Sequence, residues 1–204
     1  MKLSSTLKQV SAIGALLLVS QASAISTNFG SDDIFVKVDL TDIAADQVQI
    51  DLSLVGPNIA DIRGFWAELD NYTPLSLISG ADITSSAFGD DSVSDNLGGG
   101  VNINGGNSSD KPSSQYDLGL VFGTPGIGND DIQSTSFVLS GSGLTSSNFI
   151  EFAARGTSVG APGSSRSGSS KVWGGTTTRV PDGGLTLSML GTALLGMLFV
   201  KRKR

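Results

Sequence analysis

Histidine and cysteine are both absent from this chain. Losing histidine removes the commonest general base and the commonest metal ligand together. Losing both residues excludes Ser-His-Asp and Cys-His nucleophilic chemistry, and no disulfide framework can staple the fold. Glutamate is nearly missing too: Glu68 and Glu151 stand against 17 aspartates. Cations are few and concentrated at the ends. Of 13 Lys and Arg, two lie in the first ten residues and four at the extreme C-terminus, leaving seven against all 19 acids, a net charge of −12 between the ends. Such a surface repels nucleic acid and anionic lipid, and it favours solubility or divalent cations. Long apolar runs occur only twice, once near each terminus.

The body between those runs has a period of two. Ile34, Val36, Val38 and Leu40 alternate with Phe35, Lys37 and Asp39, and Val48, Ile50, Leu52 and Leu54 alternate with Gln47, Gln49, Asp51 and Ser53. This alternation marks half-buried strands, and the short acidic spacer 41–46 makes the two an antiparallel pair. Further strands are expected at 62–69, 75–78, 83–88, 101–103, 116–122, 132–139 and 149–154. Gly, Asn, Asp, Ser and Pro clusters at turn spacing separate them. No amphipathic helix is apparent. The expectation is all-β: a single antiparallel β-sandwich domain over residues 25–156.

Residues 90–114 read as looser, with one short strand. Residues 157–179, which include GSSRSGSS, read as a Gly/Ser-rich surface loop or stalk. Acidic pairs at Asp32-Asp33, Asp90-Asp91 and Asp130-Asp131 fall in expected loops. Calcium takes several oxygen ligands from such loops, so Asp90, Asp91, Asp130 and Asp131 are calcium candidates. None matches the spaced loop pattern of a calcium hand, and aspartate is also an ordinary turn residue. No other cofactor is expected. Glu68 and Glu151 both sit in strands, where two carboxylates could flank a glycosidic bond, but nothing in the sequence sets their separation. Trp66 and Tyr72 could line a saccharide-binding surface, although Trp66, between Phe65 and Ala67, fits core packing better. Arg63 is a candidate buried partner for an aspartate.

The two ends carry targeting information. Lys2 and Lys8 precede an apolar run at 10–19, and Ala22-Ser23-Ala24 follows as an A-x-A cleavage site. Residues 1–24 therefore read as a signal peptide, handled by the secretion translocon and signal peptidase, because the run is too short for an anchor. At the other end, Val180-Pro181-Asp182-Gly183-Gly184 leads into an uncharged run at 185–200, then Lys201-Arg202-Lys203-Arg204. As a helix the run rises about 24 Å, just short of a hydrocarbon core of about 30 Å. Snorkelling by Lys201 closes the gap. The basic cluster stays cytoplasmic and places the body of the chain across the membrane.

A short Pro-containing motif, one span and a terminal basic cluster, in that order, resemble the PEP-CTERM class of bacterial sorting signals. Within it, Val180, Pro181, Asp182 and Gly184 are similar to the Val-Pro-Asp-Ser-Gly variant, with Gly183 in place of Ser. The resemblance implies recognition by an exosortase, a membrane-embedded cysteine transpeptidase, and an inner-membrane-anchored precursor delivered to the cell surface or extracellular matrix. A plain C-terminal anchor is the simpler alternative. Four further segments, at 61–64, 123–128, 158–160 and 168–171, look like parts of an exported bacterial domain associated with such sorting tags. That likeness implies a cargo class and no active site.

Three classes of function follow. The favoured one is a non-enzymatic exported surface or matrix protein, an exosortase substrate associated with exopolysaccharide. The second is a carbohydrate- or calcium-dependent adhesion module on the same scaffold. The third, a secreted hydrolase, is disfavoured by the missing histidine and cysteine. The leader reading has a direct test. Amino-terminal sequencing of the exported protein should read Ile25-Ser26-Thr27-Asn28-Phe29, whereas a retained Met1 on a membrane-bound form would reject cleavage at Ala24.

Overall fold

A computed structural model describes residues 24–31, 33–104, 115–126 and 130–175. The first hairpin follows from the alternation. Strands β2 (Phe35–Ala44) and β3 (Gln47–Val55) pair antiparallel, with Val38 opposite Leu52 and Leu40 opposite Ile50. Val36, Val38, Leu40, Val48, Ile50 and Leu52 are all buried, while the intervening polar residues reach the surface. The turn shortens to Ala45-Asp46, and Asp46 takes a left-handed φ of 63°, a conformation aspartate tolerates.

The remaining strands are β1 (Ala24–Gly30), β4 (Ile59–Leu69), β5 (Ser76–Gly80), β6 (Ile83–Val93), β7 (Asn96–Gly98), β8 (Val101–Asn102), β9 (Tyr116–Phe122), β10 (Ser134–Ser140), β11 (Phe149–Gly160) and β12 (Gly168–Gly175). They form two five-stranded antiparallel sheets, ordered β1-β2-β3-β10-β5 and β12-β11-β4-β9-β6, consistent with a β-sandwich. The small pair β7-β8 stands apart. Phenylalanines bridge the layers: Phe65 of the second sheet lies 6.0 Å from Phe137 of the first and 5.8 Å from Phe152 beside it.

One sheet is buried on both faces. Every residue of β9 is buried, as is nearly all of β4. Their inner side chains join the main core. Their outer ones join Val93, Val101, Ile103, Tyr116 and Ala153 in a second cluster around Trp66. The β7-β8 hairpin supplies part of this cover, so the segment after residue 90 does more than connect strands. Glycine permits the close approach: a Cβ on Gly64 would lie 2.5 Å from Val101, and one on Gly119 would lie 2.7 Å from Leu97 and Val93.

Three expectations need correction. Residues 157–179 are not a loop or stalk throughout. Residues 157–160 complete β11, and β12 pairs with that strand, placing Trp173 opposite Ala153 and Lys171 opposite Arg155. Composition hid β12 because an edge strand of Gly and Ser is held by its backbone ladder and buries little apolar surface; only Val172 and Ser170 are buried. Likewise β1, absent from the expected strands, pairs along its whole length with β2. Asp90-Asp91, expected in a loop, lie in β6 where its register with β9 shifts between Phe88 and Val93.

The reassignment of β12 is testable. Val172→Asp should destabilise the protein by about 3 kcal/mol or more in denaturant unfolding, because it buries an unpaired charge. A stalk residue would leave the transition unchanged.

Candidate functional site

Acidic side chains from three neighbouring strands meet at one end of the doubly buried sheet. Asp117 organises them. Its Oδ2 accepts the Leu69 backbone N–H of β4 at 2.9 Å, and its Oδ1 accepts the Asp91 backbone N–H of β6 at 2.8 Å. Asp117 thereby joins β9 to both of its neighbours. Asp91 adopts a left-handed φ of 46° at the irregular part of β6. Carboxylate oxygens of Glu68, Asp91 and Asp117 all lie within 4.8 Å of one another. Glu151 stands directly across from Glu68 in the β4-β11 ladder, so the two glutamates of the chain are cross-strand partners.

This arrangement is electrostatically expensive, because like charges placed opposite each other destabilise a sheet. Glu68 responds by holding its proton. Desolvation, followed by the Asp117 charge, a hydrogen bond with Asp91 and the Asp91 and Glu151 charges, pushes its pKa up to about 8. Burial raises Glu151 as well. Burial also raises Asp117, against the two backbone hydrogen bonds that favour its ionised form. Tyr116 is fully buried and its phenol is raised, first by desolvation and then by Glu151, Asp95 and Glu68. Glu68 Oε2 and Tyr116 Oη are both shielded from solvent and lack a hydrogen-bond partner.

The other acidic candidates separate from this cluster. Asp130 closes a turn, its Oδ2 accepting the Thr124 N–H at 2.8 Å and the Thr124 hydroxyl at 3.3 Å. Asp131 pairs with Arg166 at 2.6 Å and accepts the Gln133 amide at 3.0 Å. A cation ligand beside a guanidinium is a poor choice, which counts against calcium at Asp131. Asp90 is exposed and adds only a neighbouring charge to Asp117. Asp32 lies outside the described residues, as do Ala22, residues 180–184 and residues 201–204; Ala24 opens β1.

Arg63 does find a buried aspartate. Its Nε lies 4.0 Å from Asp61 Oδ2, and its guanidinium also donates to the Phe122 carbonyl. Asp61 Oδ1 accepts the Ile132 N–H at 3.2 Å. All four segments of the second sequence likeness converge here: Arg63, Pro125, Gly126, Ser158, Gly168 and Ser169 line one cavity of about 320 Å³. Trp66 is wholly buried and donates from Nε1 to the Ser94 carbonyl at 3.1 Å, while Tyr72 packs against the main core. Neither offers a free aromatic platform. An open groove of about 580 Å³ is instead bordered by Phe35 of β2 and Trp173 of β12; Phe29 of β1 also adjoins it but is buried and stacked on Phe152. Asp117 and Tyr116 were not singled out by sequence reasoning. A lone aspartate inside the apolar strand YDLGLVF was the signal that could have found the first.

Fold and site together define an all-β sandwich whose polar features are structural clamps and one carboxylate cluster. The particular class comes from the tail: residues 179–204 match the family model of the VPDSG-CTERM motif. The chain thus carries a PEP-CTERM-class sorting signal of the kind found in exosortase substrates, which implies an exported, membrane-anchored precursor processed by an exosortase. No curated protein and no solved structure matches this chain. Among the described residues no helix is long and apolar enough to cross a membrane; the expected span at 185–200 lies outside them.

The Asp61 clamp yields a pH dependence. Desolvation outweighs the Ile132 hydrogen bond and the Arg63 charge, so the Asp61 pKa rises from 3.8 to about 6. A raised acid favours the folded state while protonated, and that advantage is lost as pH climbs through the folded value. The melting temperature should fall between pH 3.8 and about 6, and Asp61→Asn, which keeps an acceptor for Ile132, should flatten that part of the profile. An identical profile in the variant would assign the dependence to other groups.

Proposed function

We propose that this chain is a non-enzymatic surface or extracellular-matrix protein. Its sandwich is the cargo, held in the inner membrane by residues 185–200 until an exosortase acts at Val180-Pro181-Asp182-Gly183-Gly184. The sorting-signal match at residues 179–204 carries this reading. A permanent anchor gains nothing from a Pro-Asp-Gly-Gly turn at its outer edge. A processing substrate does, because the turn presents extended backbone to a membrane-embedded enzyme. Sorting signals whose apolar tail is discarded after recognition follow the same logic. The described fold ends at Gly175, which leaves the motif close to the sandwich along the chain.

Association with exopolysaccharide is supported by the groove bordered by Phe35 and Trp173, since aromatic faces stack on sugar rings and Asn28 adds a polar group at the same rim. A carbohydrate-dependent adhesion role rests on the same groove. Non-enzymatic character is supported by composition, which holds neither histidine nor cysteine.

The double variant Pro181→Ala, Asp182→Ala should insert normally but resist processing, with most of the uncleaved precursor accumulating in the inner membrane. Replacing Lys201, Arg202, Lys203 and Arg204 by alanine should instead impair orientation and retention. Cell fractionation with an antibody to the sandwich reads both. If the double variant reached the surface as efficiently as the parent, the tail would be only an anchor.

A further inference from the structure

The carboxylate cluster at the end of β4, β6 and β9 is difficult to explain as packing alone. Glu68, Asp91 and Asp117 bring their oxygens within 4.8 Å of one another, with Glu151 across the ladder from Glu68. Among the described residues, the groups acting most strongly on Glu68 and Asp117 include four acids and not one Lys or Arg. Two buried oxygens here, Glu68 Oε2 and Tyr116 Oη, lack a partner. Tyr116 is fully buried, and the carboxylates acting on its phenol include Glu68 and Glu151. Native proteins leave few buried polar atoms unsatisfied, and an ion or its bound water is a standard resolution.

The geometry points to a divalent-cation site of the calcium class, built from Glu68, Asp91 and Asp117, with the Tyr116 hydroxyl placed for a metal-bound water. Ligand chemistry selects the ion. The set is all oxygen and hard, without the nitrogen or sulfur that zinc prefers. Ligand number and rigidity select further. Calcium takes six to eight oxygens in flexible geometry, whereas magnesium demands a near-ideal octahedron and is usually held by one or two carboxylates. Three carboxylates brought together from three strands suit calcium better. Strands β4, β6 and β9 supply the carboxylates, and Asp117 is held in place by the Leu69 and Asp91 N–H groups. The remaining positions belong to water, which places the affinity with the weak extracellular modules at about 10⁻⁴–10⁻³ M.

The test uses the full chain in detergent, stripped with a chelator and titrated with calcium chloride by calorimetry. Heat should saturate with a dissociation constant of about 10⁻⁴–10⁻³ M, and calcium should raise the melting temperature by several degrees. The variant Glu68→Gln, Asp91→Asn should bind at least tenfold more weakly and lose the thermal shift. It spares Asp117, which the backbone needs, and it relieves repulsion, so it should still fold. Asp39→Asn, Asp51→Asn on the other sheet removes the same charge and should bind as the parent does. Absence of calcium heat would overturn the site, as would undiminished binding in the first variant. An equal response to magnesium would overturn the calcium assignment.

Discussion

The double burial of β4 and β9 is the constraint on which the rest of this structure depends. A sandwich needs only one apolar face per sheet, yet here the central strands of one sheet are covered on both. Covering the outer face demands extra chain, and the β7-β8 hairpin provides it by laying Val101 near the glycine face of β4. Small residues follow of necessity, since Gly64 and Gly119 stand where any side chain would collide with the hairpin or its neighbours. Trp66 fills the space so created, and its indole donor must then find a carbonyl inside, at Ser94.

The same burial determines the chemistry of the outer face. Polar residues that would be harmless on an open sheet become costly once covered. Glu68, Asp117, Glu151 and Tyr116 all show the result in raised pKa values led by desolvation. At the opposite clamp, Asp61 remains raised even with Arg63 beside it. In both places solvent loss outweighs local attraction, as expected where charges are taken out of water with incomplete pairing.

The sandwich and the sorting signal occupy separate parts of the chain and answer to separate physics. One is selected by alternation and burial between two sheets. The other is a linear pattern of motif, apolar run and basic cluster, matched at residues 179–204, which implies an exosortase. Their juncture is short, because β12 runs to Gly175 inside the stretch whose composition suggested a stalk. The sandwich therefore has its last edge strand close in sequence to the processing motif.

By itself the sequence determined the all-β class, the β2-β3 hairpin and the sorting tail. Each is encoded locally: a two-residue period decides which side chains face the core, and the tail is a contiguous pattern. Arg63 and a buried aspartate were also within reach, because a lone cation beside an acid in an apolar strand has few alternatives. Only the tertiary structure decided that Gly168–Gly175 is a strand, for its stability lies in a ladder with β11 that leaves no apolar signature. It alone brought Glu68, Asp91, Asp117 and Glu151 together. Those residues are separated by tens of positions, and no periodicity within one strand reports which partner lies across the sheet.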